Sequence, residues 1–198
     1  MDDQFTLRRA DILDSNALFQ LRQKTFQETY VEDFSIPLSK KDIDDYFHSS
    51  ASSENFAKKI VGPKQAVWVI ENKSNAELVG YASVGPCNNI PHPDVRPNED
   101  ALVSAIYIQR DRRNHGFGQQ LMNVVLCWSE EHYPEGSIWL GVLFKNFKAQ
   151  KFYAHYGFNK VGEFDYPIGE GKLHTFIMKR QTHISQLQFS EWGAAVSV

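Results

Sequence analysis

Cysteine is scarce in this chain: Cys87 and Cys127 are the only two in 198 residues, and they stand far apart. That excludes a disulfide scaffold and a zinc ribbon, and it predicts a reducing compartment. Neither the methionines nor the seven scattered histidines show metal-ligand spacing, so no metal is expected. No apolar run approaches the roughly 20 residues that a membrane span requires. Positive charge is not in excess: the formal net charge is -3 and the pI about 6.2, which argues against nucleic acid as a partner. The segment Met1-Asp2-Asp3-Gln4 lacks the basic and apolar regions of a signal peptide. Together these absences predict a cytoplasmic protein without a membrane partner. Repeats and linker-like stretches are also missing, so one domain is expected.

What is present suffices for a core. Hydrophobic residues make up 42% of the chain and mean hydropathy is -0.43, as in soluble globular proteins. Alternation over 5–10 predicts a first strand. Asp14 or Ser15 can cap a helix through Leu18, Leu21 and Thr25. Ser39 precedes a second helical stretch, 40–47, and 54–61 continues as helix after a serine-rich break. The segment 66–71 is β-branched and aromatic, a strong strand. A turn at 72–75 joins it to the strand 78–84. Four prolines, Pro86, Pro91, Pro93 and Pro97, rule out regular structure over 85–97. Strands follow at 102–108 and 137–142, then a short helix from the Asn146 cap to Gly157. A final strand pair is expected at 158–164 and 175–178. This order predicts an α+β (mixed α/β) fold.

Between the strand 102–108 and the helix marked by Leu121, Val125 and Trp128 stands Arg113-Asn114-His115-Gly116-Phe117-Gly118. Strand, glycine-bearing turn and helix aim backbone N–H groups at a phosphate. A dinucleotide fingerprint would need a third glycine where Leu121 stands, and a Walker loop would need Lys where Gln119 stands. On the glycines alone, an ordinary tight turn remains open beside an anion site.

The turn resembles the Arg/Gln-x-x-Gly-x-Gly/Ala signature of the Gcn5-related N-acetyltransferase (GNAT) superfamily. Asn146-Phe147-Lys148-Ala149, leading to Tyr153-Ala154-His155-Tyr156-Gly157-Phe158, is similar to its second signature. Thr25-Phe26-Gln27-Glu28-Thr29-Tyr30, Trp139-Leu140-Gly141-Val142 and Val161-Gly162-Glu163 look like the bacterial polyamine and other small-molecule members. The resemblance covers roughly residues 5–180. It implies a single GNAT domain, 1–180, with a mostly antiparallel, splayed central sheet flanked by helices, and leaves 181–198 as a tail. It also implies acetyl-CoA as cosubstrate and a small-molecule primary amine as acceptor.

By the same resemblance, the turn Arg113, Asn114, His115, Gly116, Phe117, Gly118, Gln119 holds the CoA pyrophosphate. Ile106, Tyr107 and Ile108 bond the pantetheine arm through their backbones. Asn146, Ala149 and Phe152 line the cofactor, and Tyr153 is the general acid. Ala149, Phe152, Tyr153 and Tyr156 also form a helical stripe that core packing alone would explain. Asn146 caps its helix on any account.

The departure concerns the base. Many relatives carry a glutamate and an arginine on the fourth strand, and Leu102 and Ala105 stand there instead. Glu99, Asp100, His92, His174 and a water chain are the open candidates. Acidic residues Glu28, Glu32, Asp33, Asp42, Asp44 and Asp45 either attract a cationic amine or form a solvated face. A protein or peptide acetyltransferase and a non-catalytic CoA-binding module are the alternatives. The tail, with Phe189 and Trp192, could be free, pack on the core or bridge a homodimer.

Overall fold

The computed structural model describes residues 4–182. Seven strands form one sheet: β1 (Phe5–Arg9), β2 (Ala66–Asn72), β3 (Leu78–Pro86), β4 (Ala101–Ile108), β5 (Ser137–Leu143), β6 (Asn159–Ile168) and β7 (Gly171–Gln181). Their spatial order is β1-β2-β3-β4-β5-β7-β6, and only β4 and β5 run parallel. This is the mixed, mostly antiparallel sheet that the sequence predicts.

Strand β2 shows why the sheet is covered on both faces. Ala66, Trp68 and Ile70 point to one side, and Val67 and Val69 to the other, so alternation buries both sets. Helix α4 (Phe117–His132) covers the first face with Leu121, Met122 and Val125, which are fully buried. Helix α1 (Ser15–Phe26) brings Leu18 and Leu21 to the second face, and α3 (Ser53–Val61) adds Phe56. Helix α2 (Lys40–Ser49) starts at a reciprocal cap in which the Ser39 hydroxyl accepts from the Asp42 N–H. Helix α5 (Phe147–His155) lies on the α4 side, beyond β5.

Two segments differ from the sequence expectation. Residues Gln27–Asp33 continue α1 as a π-helical turn, which no local signal announces. The last hairpin is longer than 158–164 and 175–178, because β6 and β7 pair to the turn at Gly169 and Glu170. Pro167 is tolerated there because β6 is the sheet edge.

The proline-rich loop packs on one face of β5 and β7. Cys87 packs with Trp139 and Ile177, and the His92 ring lies 5.1 Å from the Trp139 ring. Asp100 anchors this loop. Its fully buried carboxylate accepts from Ser137 N (2.8 Å), Trp139 Nε1 (2.8 Å) and Arg96 N (2.9 Å). Charge-assisted bonds of this kind are what allow a carboxylate to be buried.

Candidate active site

The site exists because β4 bends. Ser83 and Val84 of β3 pair with Ala105 and Val103, so Ser104 is an extra residue without a partner. Such a bulge bends its strand and increases local twist. The Ser104 hydroxyl meets the Ser83 hydroxyl at 2.9 Å, which holds the bulge in place. Beside it the parallel ladder to β5 stops: Ala101, Leu102 and Val103 pair with Ile138, Trp139 and Leu140, and nothing beyond pairs. Residues 104–108 and 141–143 thus face one another across a cleft of about 900 Å³. In an antiparallel strand, alternate N–H and C=O groups point to opposite sides, so half of those in 104–108 point into this gap.

One end of the cleft is an anion cradle. Asn114 (φ 67°) and Gly116 (φ 79°) adopt left-handed conformations that turn the chain into α4. Helices α2, α3 and α5 carry side-chain caps from Ser39, Ser52 and Asn146, whereas α4, like α1, has none. The Gln120 N–H already donates to Gly116 O at 3.2 Å. The N–H groups of Phe117, Gly118 and Gln119 come before the first helical bond and are free for an anion, with the helix dipole favouring it. A Cβ on Gly118 would only touch Ile108 and Phe152, both at 3.6 Å. A Cβ on Gly116 would meet nothing within 4 Å, so its φ alone calls for glycine.

The arginines beside the cradle have protein partners. Arg113 donates to Asp33 at 2.8 Å, to Thr29 Oγ1 at 3.3 Å and to Ile108 O at 3.3 Å. Arg110 pairs with Glu32 (2.9 Å) and Asp33 (2.8 Å), and its N–H donates to Glu28. Glu28, Glu32 and Asp33 thus clamp the π-helical turn to the end of β4. They do not form a free acidic patch. Asp42 is also engaged: it closes the α2 cap and accepts from Glu170 N at 2.7 Å. Asp44 and Asp45 are exposed positions on α2.

The second wall is α5. The Asn146 side chain accepts from Ala149 N at 3.0 Å, which is the expected cap. Phe152 and Tyr153 follow on the cleft-lining face, and both also pack on the α4 core. The Tyr153 hydroxyl makes no hydrogen bond among the described residues. Burial pushes its pKa well above the usual phenol value, and Tyr107 adds to the shift. Gly157 (φ 83°) ends the helix, and Phe158 N donates back to Tyr153 O at 3.1 Å. On the β4 side, Tyr107 meets Tyr30 hydroxyl to hydroxyl at 2.9 Å.

Residues 17–158 match the family described as "Acetyltransferase (GNAT) family". The chain belongs to that family. Acetyl-CoA-dependent N-acetyl transfer is the activity that membership carries. An uncharacterised N-acetyltransferase of Mycobacterium tuberculosis (strain H37Rv) is 26% identical over 69% of this chain and 80% of its own length. Among solved structures, the PaiA N-acetyltransferase of Thermoplasma acidophilum in complex with coenzyme A superposes with a TM-score of 0.68. It is 15% identical and covers 89% of this chain and 98% of its own. A spermidine N-acetyltransferase (SpeG) variant from Vibrio cholerae gives 0.61 at 20% identity, covering 95% and 99%. At such identities the two structures establish the GNAT fold.

Ten of the residues expected for the cofactor line the cleft: Ile106, Tyr107, Ile108, Arg113, Asn114, Gly118, Asn146, Ala149, Phe152 and Tyr153. His115, Gly116, Phe117 and Gln119 belong to the same turn but do not line it. Phe117 is 3% exposed and packs edge-on to Phe5 at 5.0 Å, so only its N–H is available to a ligand. None of the four residues weighed as base lines the cleft. Asp100 is saturated in the core, and Glu99 faces Arg96 at 3.4 Å. His92 lies on Trp139, and His174 lies on Asp165 at 3.0 Å. Thr29, Tyr30, Phe34, Lys145 and Lys148 line the cleft without having been anticipated. A lysine pair around the Asn146 cap was the one available signal, since cations flanking an anion cradle serve phosphate groups. No group of three or more His, Cys, Asp or Glu is arranged to hold a metal among the described residues, and no helix there is long and apolar enough to cross a membrane.

Proposed function

We propose that this acetyltransferase moves the acetyl group of acetyl-CoA to the primary amine of a small molecule by direct attack in the β4–β5 cleft. The observation that carries the reading is the parting of β4 and β5 between an uncapped helix start and a partly buried tyrosine. Residues present fit the cosubstrate. The Phe117, Gly118 and Gln119 N–H groups take the pyrophosphate, Lys145 and Lys148 offer further positive charge, and backbone groups of Ile106 and Ile108 take the pantetheine amides. The amine nitrogen bonds to the thioester carbonyl carbon and the C–S bond breaks. The attacking nitrogen sheds its second proton to water as the amide forms, while Tyr153 gives its proton to the departing thiolate and regains one from solvent. A β4 N–H in the cleft steadies the oxygen that becomes negative.

Among the described residues no free carboxylate lines the cleft, since Asp33 is held by two arginines. The acceptor therefore gives up its ammonium proton to water before attack. By binding the Glu170 N–H, Asp42 ties the β6–β7 turn to α2. Thiol release measured with small amines and with peptides in one assay tests the reading. Small amines are expected to turn over and peptides are not; peptide-only turnover would reject it.

A further inference from the structure

Arg22 is a buried cation without an anion. It lies on α1, is 7% exposed, and is ringed by aromatic side chains, with Tyr107 4.3 Å, Phe26 5.2 Å and Tyr46 5.6 Å from its guanidinium carbon. Its side chain donates one hydrogen bond among the described residues, to the Tyr46 hydroxyl at 2.8 Å. Nη1 is buried and has no partner. A guanidinium cannot shed its proton in a protein. Cation–π contacts offset only part of the cost of burying it. An unsatisfied buried donor of this kind calls for an explanation.

The surroundings supply one. Arg22 borders a cavity of about 50 Å³, room for a carboxylate or a few waters. Tyr46, Asn55, Lys59, Ser104 and Ala105 complete the part that matters here. Lys59 is a second cation, and burial followed by the Arg22 charge lowers its pKa. Among the described residues no acidic side chain lines this cavity. Ser104 and Ala105 also line the reaction cleft, so the bulge where β4 leaves β5 borders both spaces.

We propose that this cavity is an anion subsite for the acceptor, and that the small amine acetylated by this protein carries a carboxylate held by Arg22 and Lys59. The inference rests on the small-amine reading above and narrows it to amino acids. The carboxylate fills the cavity while the amino group extends past Ala105 to the thioester. The same two cations repel the distal ammonium of a polyamine.

Calorimetry on the intact protein saturated with CoA tests this. The titrants are the common L-amino acids, β-alanine and γ-aminobutyrate, each beside its carboxamide, together with spermidine. We expect at least one acid to bind, on the order of 100-fold tighter than its amide, as when a site loses the group it is built to pair. Arg22→Met should erase that difference while CoA affinity holds. Its melting temperature should stay level or rise, because no buried acid loses a partner. Should Arg22→Met fail to fold, Lys59→Met is expected to weaken the acid about tenfold and leave the amide unchanged. Equal binding of acid and amide, no binding of any acid, or tighter binding of spermidine would each overturn the proposal. Failure of every amine to release thiol would reject the catalytic reading, and the binding result would still decide this one.

Discussion

Tyr153 sits between the rings of Phe152 and Phe158, at 5.5 and 6.1 Å, in the α5 wall of the cleft. That burial disfavours the phenolate, so the group keeps its proton at every pH near neutrality and has it available for the departing thiolate. Tyr153→Phe should lower kcat by about 100-fold, within the range of general acid catalysis, while acetyl-CoA affinity is spared. Steady-state kinetics beside calorimetry check this, and an unchanged kcat would remove the acid role. The pH profile follows from the same two facts. With the phenol raised and no carboxylate base, kcat/KM should climb with pH as the amine deprotonates, and should not fall between about pH 7 and 10. The inflection should move with the pKa of the amine chosen. A fixed inflection across amines would point to a protein base.

Caps and clamps decide how the elements present these groups. Asn146→Ala removes the α5 cap and should cost about 1 kcal/mol in denaturant unfolding, with a raised KM for acetyl-CoA because α5 forms one cleft wall. Local features of this kind were legible in the sequence: Ser39, Asn146 and Gly157 act through neighbours within a few positions, and so does the glycine turn. Other features depend on residues distant in the chain. The π-helical turn is held by Arg110 and Arg113, some eighty positions away, so periodicity could not foretell it. The same pairing turns Glu28, Glu32 and Asp33 from a candidate amine attractor into a clamp. Arg22 stands beside the apolar Leu18, Leu21 and Thr25 stripe, and only the packed rings of Tyr107 and Tyr46 reveal that it is buried. The longer β6–β7 hairpin escaped notice because its outer strand alternates with polar residues and contains Pro167.

For the molecule as a whole, the sheet is one structure with a deliberate gap. Asp100 secures the paired side of that gap, where β4, β5 and the proline-rich loop meet. Asp100→Ala would orphan the Ser137 and Trp139 donors and should destabilise the fold by about 3 kcal/mol. Thermal unfolding checks this, and a loss within error would mean the loop is held by its apolar contacts alone. The open side is where the account places acetyl-CoA, with its phosphates on the start of α4 and its thioester beside the β4 bulge. Amide hydrogen exchange of the protein with and without acetyl-CoA tests that placement most directly. The account predicts new protection concentrated at Phe117, Gly118 and Gln119 and across residues 104–108. Protection elsewhere, with those amides unchanged at saturating acetyl-CoA, would contradict it.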